Sequence, residues 1–317
     1  MKRILSILLF IPFTCLPCDH CNVLLNVSPN DFRNSVDLMF RSREMFGTYN
    51  SFGEMITTMH TGHGNDMAMW GQDVRETYQT LELRGNFYFF DKWRTTIILP
   101  FVNNVQRLNE KIRYRIYAPG DPMILQSYRL YNTMGDTSNQ GFTQRWLIGG
   151  GLRMPFGQTD MVVESATPNL DLQPGKGSWG SLFYTTLTIK YKWLGLHNNL
   201  SFLHNGKDEM HYQYGQTLNW MGQFFADLTM GKKTLRLQVG TYYEKAQKDR
   251  TRSFGEEAGM IHHDTGSKIW FGQTGLRLFT KNMQFFSTYE HAMSIQLNGF
   301  EQLLTRGMFN AGATWYF

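Results

Sequence analysis

Metal ligands are the first chemistry the chain offers. Met59-His60-Thr61-Gly62-His63, with Met67 and Met69 close behind, gathers imidazole and thioether groups in one stretch, and thioether favours reduced copper. Cys18-Asp19-His20-Cys21 places two thiols three positions apart, able to close a small-loop disulfide or to bind a metal, and His262-His263 adds another imidazole pair. A copper or other metal site drawing on Cys18, Cys21, His60, His63, Met67 and Met69 is one expectation. The other is a solvated loop and tail with no cofactor. No P-loop or dinucleotide fingerprint opens a helix, and Gly149-Gly150-Gly151 lies inside a strand pattern, where small residues permit bending or close packing.

The elements that must position such residues are constrained by composition. The 317 residues are 42% apolar and 15% aromatic, with 24 Phe, 15 Tyr, 8 Trp and 30 Gly, yet only 18% are charged. Mean hydropathy is −0.37. A helical membrane protein needs apolar runs of roughly 20 residues; the one candidate, Ile4 to Phe13, is too short. Disorder is excluded by the aromatic content. Lys2 and Arg3 followed by the apolar stretch to Leu16 predict a secretory signal peptide. We therefore read residues 1–21 as a signal and Cys-containing segment, 22–34 as a periplasmic tail and 35–317 as the folded body. The formal charge of +5 is spread along the chain, so no nucleic-acid partner is expected.

Alternation predicts about a dozen strands in the body: 35–46, 74–90, 93–106, 123–132, 143–155, 181–193, 197–203, 212–228, 234–245, 268–280, 283–297 and 304–317. Short turns are expected at Asp91-Lys92, Leu194-Gly195, Gly231-Lys232 and Lys281-Asn282. Longer polar connections are expected over 47–73, 107–121, 156–180 and 247–266. Short turns at one end and long loops at the other are the asymmetry of a transmembrane barrel. Trp93, Trp193, Phe279, Trp315 and Phe317 stand beside the short turns, where an interfacial aromatic girdle belongs.

Within strands the two faces differ. Leu81, Leu83, Phe87 and Phe89 oppose Glu82, Arg84 and Asn86, and Leu235, Leu237 and Val239 oppose Arg236, Gln238 and Gly240. If the apolar face meets lipid, the lumen receives Arg84, Arg145, Arg153, Lys190, Lys192, Arg236, Arg277 and Arg306 against Glu82, Glu244 and Glu290. That excess of cations favours anions in a narrow polar passage. A barrel of this size lies between those packed shut and those with open channels, so a pore and a plugged lumen both stay open as readings.

Phe309, Ala311, Ala313, Trp315 and Phe317 share one face and end on an aromatic, which resembles the closing strand and assembly signal of Gram-negative outer-membrane barrels. The resemblance implies the barrel-assembly machinery as a partner, through Phe309, Trp315 and Phe317. Leu99-Pro100-Phe101 with Pro119-Gly120-Asp121-Pro122, and Leu152 to Gly157 with Asn169 to Ser178, are similar to motifs of transporter-like outer-membrane barrels related to the phenol-degradation meta-pathway barrels. In that family a strand ends at Leu-Pro-Phe, a Gly-Asp pair opens the next, and a Gly-x-Gly-Ser element leads into another. The N-terminal Cys pair and Glu76 to Thr80 resemble members found near metal and redox genes. His204-Asn205 and His197-Asn198-Asn199 resemble the His of outer-membrane phospholipases, although Ser201 precedes His204 instead of following it.

The expectation is an all-β protein: one transmembrane antiparallel up-and-down barrel of about 12 strands, with short periplasmic turns and long extracellular loops. It sits in outer-membrane lipid and passes a small hydrophilic, anionic solute without energy coupling. A metal-binding or structural barrel is the second expectation and a lipid hydrolase the third.

Overall fold

Period-two alternation in segments of 10 to 18 residues can bury one face only by strand pairing. The chain accordingly forms β1 (Ser35–Tyr49), β2 (Met55–Ile56), β3 (Gln72–Phe89), β4 (Trp93–Leu108), β5 (Lys111–Pro119), β6 (Met123–Asn132), β7 (Phe142–Arg153) and β8 (Gly180–Tyr191). It continues through β9 (Leu194–Asn205), β10 (Thr217–Met230), β11 (Lys233–Ala246), β12 (Arg250–Arg252), β13 (Ala258–Ile261), β14 (Ser267–Phe279), β15 (Met283–Leu297) and β16 (Leu304–Tyr316). The structure is a computed structural model and describes residues 33–49, 55–56, 72–90, 92–134, 141–163, 170–209, 211–252, 258–261, 265–298 and 303–317.

Twelve of these strands form one closed antiparallel barrel in the order β1, β3, β4, β6 to β11 and β14 to β16. Closure is made by β16 on β1, with Ser35 opposite Tyr316 and Asp37 opposite Thr314. The Phe317 N–H donates to the Asn34 carbonyl at 3.0 Å, so both described chain ends meet at the rim that carries the short turns.

The outside is apolar and the inside polar. Leu38, Leu81, Leu83, Leu99, Phe224 and Val239 are exposed, while Arg153, Arg277, Gln223 and His197 are among the most deeply buried side chains. In water this arrangement would waste the hydrophobic effect; in hydrocarbon it places the apolar half against lipid and leaves every ladder hydrogen bond satisfied.

Several details differ from the sequence reading. The expected loop over 107–121 is a hairpin: β4 runs on to Leu108, Asn109 and Glu110 turn with positive φ of 46° and 66°, and β5 returns along the same edge. Asn109 makes this turn possible by accepting the Asp73 N–H at its side-chain oxygen (2.9 Å) while its own N–H donates to the Asp73 carbonyl. Leu99-Pro100-Phe101 lies inside β4 and does not end a strand. Pro100 is tolerated because the partner of β4 changes there, from β6 up to Ile98 to β5 from Phe101, across the break at Gly120-Asp121-Pro122. The turn expected at Leu194-Gly195 falls at Lys192-Trp193, and Phe279 turns inward while Trp93, Trp193, Trp315 and Phe317 face out.

Gly195 belongs in β9 because the Phe225 ring occupies the space a side chain would need: a Cβ there would lie 2.1 Å from the ring. Gly149 plays the same part under Tyr184. Small residues beside large ones are how a narrow barrel fills its interior. Gly195→Ala should destabilise the barrel by about 1–3 kcal/mol, read as a lower temperature for loss of the compact gel mobility of the folded protein. In a Phe225→Ala background the penalty of Gly195→Ala should shrink.

Candidate functional site

The interior half nearest the turns holds two buried carboxylates, Asp37, which accepts Asn86 Nδ2 at 2.7 Å, and Asp227. Asp227 on β10 accepts Arg236 Nε at 2.6 Å and Nη2 at 2.9 Å, and also Lys190 Nζ at 2.7 Å. Arg236 stands directly opposite Arg277 in the β11–β14 register, both inward and both buried. Like charges in that position repel. Arg277 donates from Nε to Gln238 at 2.7 Å, and Arg145 on β7 adds a third guanidinium close enough to repel Arg236 across the lumen. Aromatic faces soften the cluster: Phe225 and Phe279 lie 3.9 and 5.1 Å from Arg236, and Phe286 lies 5.2 Å from Arg277. His197 sits among these groups with Nδ1 2.9 Å from Thr188 Oγ1.

Higher in the barrel, charges pair. Glu82 is held by Arg41 and by Arg84, whose Nε donates at 2.8 Å. Arg43 reaches from β1 to Glu244 on β11 at 3.1 Å, spanning the lumen, and also donates to Thr305. Gln106 and Tyr78 donate to Glu76, and Gln273 and Asn310 donate to Glu290. A cavity of about 50 Å³ is lined by Arg43 and Glu82, and Glu290 and Asn310 are 0% exposed.

The connection after β7 buries its residues 172–176 in the far half. Its 3-10 turn, Leu170–Leu172, is fixed inside the wall by Asn104, which donates to the Leu172 carbonyl at 2.9 Å. Asp121, in the break between β5 and β6, is the anchor: its two carboxylate oxygens accept the N–H groups of Gly157 and Lys176, each at 2.9 Å, and Arg153 Nε lies 3.5 Å away. Lys176 extends its ammonium to within 4.2 Å of the Tyr214 ring centre and 3.6 Å of Asp171. The stretches around Gly120-Asp121 and Gly175-Lys176, far apart in sequence, thus meet at one carboxylate.

Beyond the ends of β10 and β11, Asp249 receives the Tyr212 hydroxyl at 2.5 Å and the Gly215 N–H at 2.6 Å. Burial holds its carboxyl above the ordinary aspartate range, outweighing the hydrogen bonds that lower it.

Of the residues expected in the lumen, Arg84, Arg145, Arg153, Lys190, Arg236, Arg277, Glu82, Glu244 and Glu290 point inward. Lys192 does not: it is exposed in the β8–β9 turn, with positive φ of 52°. Arg306 is exposed too, because a bulge opposite Glu44 and Met45 shifts the alternation of β16. The sequence reading missed Asp37, Arg41 and Arg43, although they alternate with Leu38 and Phe40, and it missed Asp121, Asp227 and Lys176. Cys18, Cys21, His60, His63, Met67, Met69, His262 and His263 lie outside the described residues. Among the described residues no group of three His, Cys, Asp or Glu could hold a metal. His204 faces outward while Ser201 faces inward, so the pair expected for lipid hydrolysis is split across the wall. Phe309 and Trp315 lie on the outer face of β16, with Trp315 and Phe317 rings 5.2 Å apart.

Solved structures decide the kind of barrel. An outer membrane channel from Pseudomonas putida F1 superposes with a TM-score of 0.58 at 10% identity, covering 92% of this chain and 100% of that one. The fold is that of an outer-membrane barrel. The β domain of the Bordetella autotransporter BrkA gives 0.47 at 10% identity over 90% and 100% of the two chains, and the NanC porin gives 0.39 at 10% identity over 86% and 98%. No family model matches the chain, and no curated protein matches it by sequence.

Asp121→Ala should free the 154–179 connection, raising the rate of trypsin cleavage after Lys176 several-fold with the barrel still folded. Asp160→Asn, on an exposed residue of the same connection, should leave that rate unchanged.

Proposed function

We propose that this protein is an outer-membrane channel for passive passage of a small anionic solute, closed in the state described. The observation that carries the reading is the row of Lys190, Arg236 and Arg277 with Arg145, four cations set against the carboxylates of Asp227 and Asp37. Cations outnumber carboxylates in this half of the lumen, and that excess would draw an anion entering it. The fold shared with a known outer membrane channel supports the general role. The transporter-like family whose motifs the sequence resembles is consistent with it. Passage requires the buried residues 172–176 to leave the lumen, breaking among others the hydrogen bonds of this connection with Asp121, Asn104 and Arg153.

The packed interior supports a second reading, a structural barrel that conducts nothing. One recording separates the two. In a planar bilayer under a salt gradient, the channel reading predicts conductance with a reversal potential of anionic sign, larger in Asp121→Ala than in the wild type. Arg236→Gln combined with Arg277→Gln should move the reversal potential toward zero. Silence in both wild type and Asp121→Ala, or cation preference, contradicts the channel reading.

A further inference from the structure

The outer wall near the short turns carries a groove that the lumen does not use. It crosses β8 to β11 with a volume of about 530 Å³, within the range of small-molecule sites. Ala226 keeps side-chain bulk off its floor, and Tyr191, Leu194, Phe224 and Leu237 wall it. The lining is almost wholly apolar, as an acyl chain requires.

Charge is gathered at its mouth. Lys192 lies in the β8–β9 turn and Lys232 and Lys233 at the β10–β11 turn, all exposed, and neither turn contains a carboxylate. Lys192 Nζ is 5.4 Å from the ring centre of Tyr191, itself a wall of the groove. The nearest strand carboxylate, Asp227, points inward and is occupied by Lys190 and Arg236. Bulk hydrocarbon would cover the apolar slot without any need of ammonium groups beside it. An apolar slot opening onto three lysines fits a molecule that is anionic at one end and hydrocarbon at the other.

We propose that this groove seats one anionic phospholipid of the leaflet on the turn side, its phosphate on Lys192, Lys232 and Lys233 and an acyl chain over Ala226. The inference depends on the barrel lying in lipid and is independent of conduction, so it stands or falls separately from the channel reading.

Exposed Trp193, in the turn at the groove's mouth, serves as the reporter. The full chain in detergent is titrated with phosphatidylglycerol carrying brominated chains and, separately, with the matching phosphatidylcholine. Trp193 quenching is taken as the difference from a Trp193→Phe chain. A lysine near the surface strengthens anionic lipid binding about fivefold, so phosphatidylglycerol should saturate at an at least about fivefold lower mole fraction. Replacing Lys192, Lys232 and Lys233 by Gln should make the two lipids equal. Ala226→Phe, which fills the floor and keeps the lysines, should weaken saturation by phosphatidylglycerol. Equal affinity for the two lipids in the wild type, a preference that survives the triple replacement, or displacement of the lipid by inorganic phosphate at matched concentration overturns the proposal.

Discussion

Hydrocarbon offers no hydrogen-bond partner to a peptide group, and the rest of this structure follows from that. A sheet in lipid has to close on itself, and here it closes through the pairing of β16 with β1. Closure with twelve strands fixes a narrow interior, and period two sends half of every strand into it. The inward half is therefore chosen under two demands: it must fit, and it must be satisfied. Gly195 under Phe225 and Gly149 under Tyr184 meet the first. Glu82 between Arg41 and Arg84, and Glu244 with Arg43, meet the second.

Cations and carboxylates meet in ion pairs in one half of the barrel, whereas cations outnumber carboxylates in the other. Removing one member of a buried pair costs about 3–5 kcal/mol, so the far-half pairs read as ballast for the fold. Near the turns, Asp227 answers two cations while Arg236 faces Arg277. Aromatic rings and Gln238 soften the contact between the two guanidinium groups. Asp121 then links closure to the wall itself, because the carboxylate that pins the inserted connection sits where β5 gives way to β6.

The strands were legible because alternation is a local signal. β6 and β15 were delimited to the residue, and β7 and β11 to within two, since lipid demands an apolar residue at every second position. Parity arguments fail where the local rule is suspended: Lys192 sits in a turn, and Arg306 is the extra residue of a bulge that no composition signal marks. The β4–β5 hairpin was read as a loop because its outward residues, such as Arg113 and Arg115, lack the apolar face on which the strand signal depends. The contacts of Asp121 with Gly157 and Lys176 join residues 36 and 55 positions apart, beyond any periodicity. Arg41 and Arg43 could have been found from the alternation of β1; Asp227 could have been found from its parity with Gln223 and Phe225.

The central claim is that lipid lies outside the wall and a packed, charged network lies within. Nitroxide scanning along β11 from Thr234 to Val239, in lipid vesicles, tests it most directly, with oxygen and a water-soluble nickel complex as competing collision partners. Labels at Leu235, Leu237 and Val239 should be reached by oxygen, and those at Thr234, Arg236 and Gln238 by neither reagent. Free access of nickel to the inward positions, or oxygen access without a period of two, would contradict the account.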